Sequence, residues 1–103
     1  MVVKTIDIAP QDLQTVQKIL QENIPEFAVW AFGSRLSGNA RKYSDLDIVI
    51  LCDKSIETLR MADLREAFSE SDLPMKVDII EWSSLDEEFR SIIRENYFVL
   101  QEV

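Results

Sequence analysis

Three short apolar runs of strand length constrain this chain more than any other feature: Phe27–Phe32 (FAVWAF), Ser44–Cys52 and Met75–Glu81. They are separated by segments with a different period. Before the first, Leu13, Val16, Ile19 and Leu20 recur at helical spacing with Gln14, Gln17, Lys18 and Gln21 between them, which predicts an amphipathic helix. Pro10 suits its first turn, and Asn23 and Pro25 mark its end. Between the second and third runs, Leu59, Met61, Leu64, Ala67 and Phe68 form a broad stripe from Ile56 to Ser69, with Ser55 as the expected N-cap. After the third, Ser83 or Ser84 is expected to cap a helix that buries Leu85, Phe89, Ile92, Ile93 and Tyr97. A short helical or irregular piece, Arg35 to Arg41, lies between the first two strands. The order is helix, strand, short helix, strand, helix, strand, helix. It predicts an α/β fold, a small three-stranded mixed sheet flanked by about four helices.

A chain of 103 residues that is 47% hydrophobic and 29% charged is long enough for one folded domain, residues 1–103, with no length for a second core. Two glycines and three prolines argue against long loops. With eleven basic against nineteen acidic residues the net charge is −8, which disfavours attraction to nucleic acid or an anionic membrane. No apolar stretch reaches the roughly 18 residues of a membrane span, and a charge follows the first methionine too soon for a signal peptide. The lone cysteine, Cys52, ends an apolar run and reads as a small core residue. These features fit a cytoplasmic protein. The absence of histidine excludes Ser-His-Asp and Cys-His nucleophiles, His-ligated zinc, and nuclease chemistry that needs Arg and His. Carboxylate and metal chemistry remains.

The carboxylates sit where that chemistry needs them. Gly33 ends the first strand at a point suited to positive φ or close backbone approach, and Ser34 is a suitable N-cap whose following amides face an incoming anion. Ten residues separate Ser34 from Asp45. The alternation of the second strand puts Asp45 and Asp47 on one face and Leu46, Ile48 and Ile50 on the other, with the two aspartates roughly 7 Å apart at Cα. Two such carboxylates repel, and Mg²⁺ removes that repulsion. Mg²⁺ prefers one or two carboxylates plus substrate phosphate oxygens, which points to metal delivered with a nucleotide. Asp78, on the third strand opposite Met75, Val77 and Ile79, brings a third carboxylate if the two strands are neighbours. Arg35, Arg41 and Lys42 lie between Ser34 and Asp45 and read either as a local positive field for phosphate or as a solvated loop. Tyr43 either stacks on a base or covers the core edge.

Gly33-Ser34, ten residues, Asp45-x-Asp47 and a later Asp78 resemble the active-site signature of the polymerase-beta-like nucleotidyltransferase superfamily. The short chain, with Gly33-Ser34-Arg35-Leu36-Ser37-Gly38 and Ser44-Asp45-Leu46-Asp47, is similar to the minimal nucleotidyltransferases, which include antitoxins paired with HEPN-domain toxins. The resemblance implies the nucleotidyltransferase fold, with the Asp pair on the second strand and the third carboxylate on the next. It also implies Mg²⁺-dependent transfer of a nucleoside monophosphate, AMP from ATP, to a hydroxyl, with two metal ions on Asp45, Asp47 and Asp78. Gly33 and Ser34 are then expected to bind the terminal phosphates, Arg35 and Lys42 to contact phosphate, and Asp78 to activate the acceptor. The acceptor it implies is a tyrosine of a HEPN ribonuclease toxin, held in a hetero-oligomer. Two alternatives stay open: an antitoxin that acts by occlusion with idle carboxylates, and a nucleotidyltransferase for a small molecule such as an aminoglycoside.

Overall fold

The computed structural model describes residues 1–38 and 44–103; the expectations for Arg41, Lys42 and Tyr43 fall outside them. The elements run α1 (Pro10–Asn23), β1 (Ala28–Phe32), α2 (Ser34–Ser37), β2 (Leu46–Leu51), α3 (Thr58–Ser69), β3 (Val77–Glu81), a 3-10 turn (Trp82–Ser84), α4 (Glu87–Glu95) and β4 (Phe98–Gln101). The strands form one mixed sheet in the order β3-β2-β1-β4. β1 pairs antiparallel with β2 and with β4, and β2 pairs parallel with β3 across the α3 connection. The sheet therefore has four strands, not the three expected. Phe98-Val99-Leu100 forms the added edge of β1, with a register shift between Val29 and Trp30. Gln101 secures it by donating from Nε2 to the carbonyls of Ile24 (3.0 Å) and Phe27 (2.8 Å).

One face of the sheet carries the main core. Val29 and Ala31 of β1, Leu46, Ile48 and Ile50 of β2, Ile79 and Leu100 join Val16, Ile19 and Leu20 of α1 and Met61, Leu64 and Phe68 of α3. The helical stripes predicted for α1 and α3 face this layer, except that Leu59 is 70% exposed. α3 starts later than Ser55 predicts: Glu57 holds the N-cap position without a side-chain bond, and the Ile56 amide is taken instead by the Glu81 carboxylate at 2.6 Å. Arg60 then ties α3 to the turn after α1, pairing with Glu26 at 2.6 Å and holding that carboxyl down at about 2, chiefly through the guanidinium hydrogen bond. Cys52 is buried, as its position in an apolar run predicts.

The opposite face is partly aromatic and carries the acidic residues. Trp30 stacks on Tyr97 with centroids 3.8 Å apart and meets Trp82 edge-on at 5.9 Å. α4 lies on this side. Its N-cap is Asp86, which accepts from the Phe89 amide at 2.8 Å, so the cap is two or three residues later than the serines suggest. Arg90 fastens the helix by donating to the Trp82 carbonyl from Nε (3.2 Å) and Nη2 (2.9 Å). Only Ile93 of α4 is buried; Phe89 is 41% and Ile92 59% exposed, against the expectation that both are covered. Among the described residues no helix is long and apolar enough to cross a membrane.

Candidate active site on the acidic face of the sheet

The site is assembled by strand register. Phe32, the last residue of β1, is the partner of Asp47, and Asp47 is in turn the partner of Asp78 in the parallel ladder. Neighbouring strands are about 4.8 Å apart, so these three residues form one row across the sheet with side chains on the same face. Asp45 immediately precedes β2 and shares the parity of Asp47. The Leu46 amide donates to the Lys76 carbonyl at 2.9 Å, which fixes the start of this ladder.

The electrostatics record the convergence. Asp47 is half-buried, and its carboxyl is pushed above the usual aspartate range, first by burial, then by the charges of Asp78 and Asp45. Both other acids of the predicted trio therefore act on it. A cation would remove the penalty that each imposes. No group of three acidic or sulfur side chains among the described residues forms a ready-made metal cage. The arrangement fits Mg²⁺, which takes one or two carboxylates and completes its shell with water and phosphate oxygens.

Gly33 closes the row on the β1 side. Its φ of 88° and ψ of −154° lie in a region open essentially to glycine alone. A Cβ there would stand 2.5 Å from Asp47 Oδ2, so the turn and the carboxylate are in direct apposition. Gly33 itself is the N-cap of α2, and Ser34 its first residue, one position later than the capping role predicted for the serine. The Leu36 amide returns to the Gly33 carbonyl at 3.0 Å.

Arg35 occupies a different place from the phosphate contact expected of it. It is 6% exposed. Its Nη1 donates to the Asp7 carbonyl (2.7 Å), and its Nε and Nη2 to the Ser44 carbonyl (3.1 and 2.7 Å). The Asp7 amide in turn donates to the Arg35 carbonyl at 2.7 Å. The guanidinium thus holds the backbone just before Asp45 against the turn just after Gly33, a bracing role. Arg35→Met should destabilise the protein by about 2–3 kcal/mol, because it removes charge-assisted bonds and leaves the part-buried carbonyls of Asp7 and Ser44 without that donor. Urea unfolding with an unchanged m-value checks this.

Two clefts border the row. One, about 700 Å³, follows the β3 edge past Asp78, Lys76 and Arg65. The other, about 530 Å³, adjoins Gly33 and is lined by Phe32, Leu36, Phe89, Ile92, Ile93, Glu95 and Asn96. The sequence pattern assigned the apolar residues of α4 to the core, so their place beside the turn emerges only from the fold.

Comparison with known proteins identifies the family and the fold. The family model for polymerase beta nucleotidyltransferases matches residues 14–102. The Haemophilus influenzae protein named Probable protein adenylyltransferase MntA is 50% identical over 97 residues, covering 94% of this chain and 85% of that protein. A crystal structure of a toxin-antitoxin with AMP-PNP superposes with a TM-score of 0.72 at 22% identity, over 88% of this chain and 73% of that one. A chain from the complex of tri-AMPylated Shewanella oneidensis HEPN toxin with MNT antitoxin gives 0.66 at 22% identity, over 90% and 71%. At such identities the structural matches establish the fold.

Proposed function

This chain belongs to the polymerase beta nucleotidyltransferase family, and we propose that it is an adenylyltransferase antitoxin, moving AMP from ATP to a tyrosine hydroxyl of a HEPN toxin. The observation that carries this reading is the apposition of Gly33 to Asp47 in the row that ends at Asp78. A phosphate-binding turn and a set of mutually repelling carboxylates are useful together only where a metal–nucleotide complex bridges them.

The roles follow from position. Asp45 and Asp47 would hold divalent ions, two in the full arrangement, with Asp78 completing the set. When bound, Mg²⁺ supplies charge neutralisation for the phosphates and withdraws electron density from the α-phosphorus. The Gly33 amide and Ser34 hold the terminal phosphates, and Lys42 is assigned to them by its place in the sequence. Arg35 acts by positioning, keeping Asp45 and the turn at a fixed separation. Asp78 is exposed at the open β3 side, where the larger cleft gives an acceptor room to approach. There it takes the proton of the incoming hydroxyl. The hydroxyl oxygen bonds to the α-phosphorus, the bond to the bridging oxygen breaks, and pyrophosphate leaves with the electron pair.

The partner follows from likeness and charge. The relative's name specifies a protein acceptor, and a structural neighbour is an antitoxin bound to an AMPylated HEPN toxin. A net charge of −8 suits docking on a basic RNA-binding protein. Label from α-labelled ATP should appear on the HEPN protein in the presence of Mg²⁺, and Asp45→Asn should lower the rate by about a hundredfold to a thousandfold. A tight complex that protects from toxicity with no label transferred would replace catalysis with occlusion.

A further inference from the structure

β3 has β2 on one side and, among the described residues, no strand on the other. The Leu46 amide donates to the Lys76 carbonyl, so the backbone groups of Lys76, Asp78 and Ile80 face β2, and strand alternation turns those of Val77 and Ile79 outward. Farther along, the Glu81 carbonyl accepts from Ser84 Oγ at 2.8 Å, which closes that end. The open stretch is therefore Val77 to Ile79, centred on Asp78. A cleft of about 700 Å³ runs along it. A residue added opposite Asp78 would stand on the acidic face about 4.8 Å away, beside the carboxylate that ends the row. Its two chain neighbours, opposite Val77 and Ile79, would point to the other face, where Phe68, Leu73 and Met75 give the cleft an apolar wall. Lys76 shares the parity of Asp78 and is exposed, so the residue two positions from the central one meets a cation.

We propose that β3 takes the acceptor as an added strand: an extended segment with the tyrosine opposite Asp78, an apolar residue on either side of it, and an acidic residue two positions away facing Lys76. Backbone bonds to Val77 and Ile79 give affinity. The alternation of faces delivers the tyrosine, and neither of its neighbours, to the acidic side. A second copy of this chain fits poorly, because antiparallel pairing about the same centre sets Asp78 against Asp78. The proposal rests on the adenylyltransferase reading and adds how the acceptor is held.

Amide hydrogen exchange tests this without any transfer. The full chain is compared alone and in complex with the HEPN protein, with Mg²⁺ and an ATP analogue carrying methylene in place of the α–β bridging oxygen. The Val77 and Ile79 amides should exchange at least about tenfold more slowly in the complex, the protection given by a new backbone hydrogen bond. Unchanged exchange at both overturns the proposal, and protection that grows with the concentration of the chain alone overturns it in favour of self-association. Val77→Pro removes one outward N–H at the first residue of an edge strand, where proline is accommodated, while Val77→Ala keeps it. With labelled ATP, KM for the HEPN protein should rise about tenfold in Val77→Pro and by clearly less in Val77→Ala. Equal rises overturn strand pairing and leave only a side-chain contact. Protection in the complex with no label transferred by the wild type overturns the enzymatic reading alone.

Discussion

Asp47→Asn should abolish AMP transfer and also make the protein harder to unfold. Its carboxyl is raised above the ordinary range by burial and by the charges of Asp78 and Asp45, so the folded state binds its proton more tightly than the unfolded state does. At pH below the ordinary aspartate value of 3.8 both states are protonated and no penalty exists. As pH rises through that value the unfolded chain ionises first, and stability falls until the raised folded value is passed; above it the penalty is constant. Asparagine keeps the shape without the charge. The variant should therefore gain on the order of 1 kcal/mol at neutral pH, the usual size of a relieved functional site, or about 5 °C in Tm for a domain of this length. The gain should vanish in acid. Mg²⁺ with ATP should raise the Tm of the wild type and not of the variant, by mass action on the folded state. Thermal melts at pH 7 and in acid, with and without Mg²⁺ and ATP, check all three statements. A variant less stable than the wild type at neutral pH would remove the electrostatic argument for a cation at Asp47.

Much of this arrangement is legible in the sequence because strand alternation is local. Leu46, Ile48 and Ile50 define a buried face, and that parity alone puts Asp47 on the other. The pairing of Asp47 with Asp78 follows from the same parity once β2 and β3 are neighbours. β4 was not legible. Phe98–Gln101 is four residues long and is separated from α4 only by Asn96 and Tyr97, so its apolar run reads as the tail of a helix or as general core. What makes it a strand is the open edge of β1. The amphipathic pattern of α4 shows which residues share a side and not how much of that side the sheet covers. Phe89 and Ile92 therefore read as core. Arg35 was misplaced for a related reason. A cation in a loop after a glycine reads as a ligand for phosphate, whereas its partners, the carbonyls of Asp7 and Ser44, are brought to it only by the tertiary fold.

Gly33→Ala should be the most damaging single-methyl change in the chain, through two separable effects. A φ of 88° with a ψ of −154° costs an L-residue about 1–3 kcal/mol. Added to this is the contact between the new Cβ and Asp47 Oδ2, which at 2.5 Å forces the carboxylate, the turn or both to move. The strain belongs to the backbone and remains whatever residue stands at position 47. The contact belongs to the pair. A double-mutant cycle separates them: Gly33→Ala should cost clearly less stability in an Asp47→Ala background than in the wild type, with the strain as the remainder. If the cost is equal in both backgrounds, the turn yields without disturbing Asp47, and transfer should then survive in the single variant. The expected outcome is the opposite, a fall in transfer of at least about a hundredfold, since a displacement near 1 Å of a group that positions reacting atoms has an effect of that order. Stability and transfer should fail together here because the absence of a methyl group at position 33 is what lets the turn, the proposed phosphate site, rest against the Asp47 carboxylate.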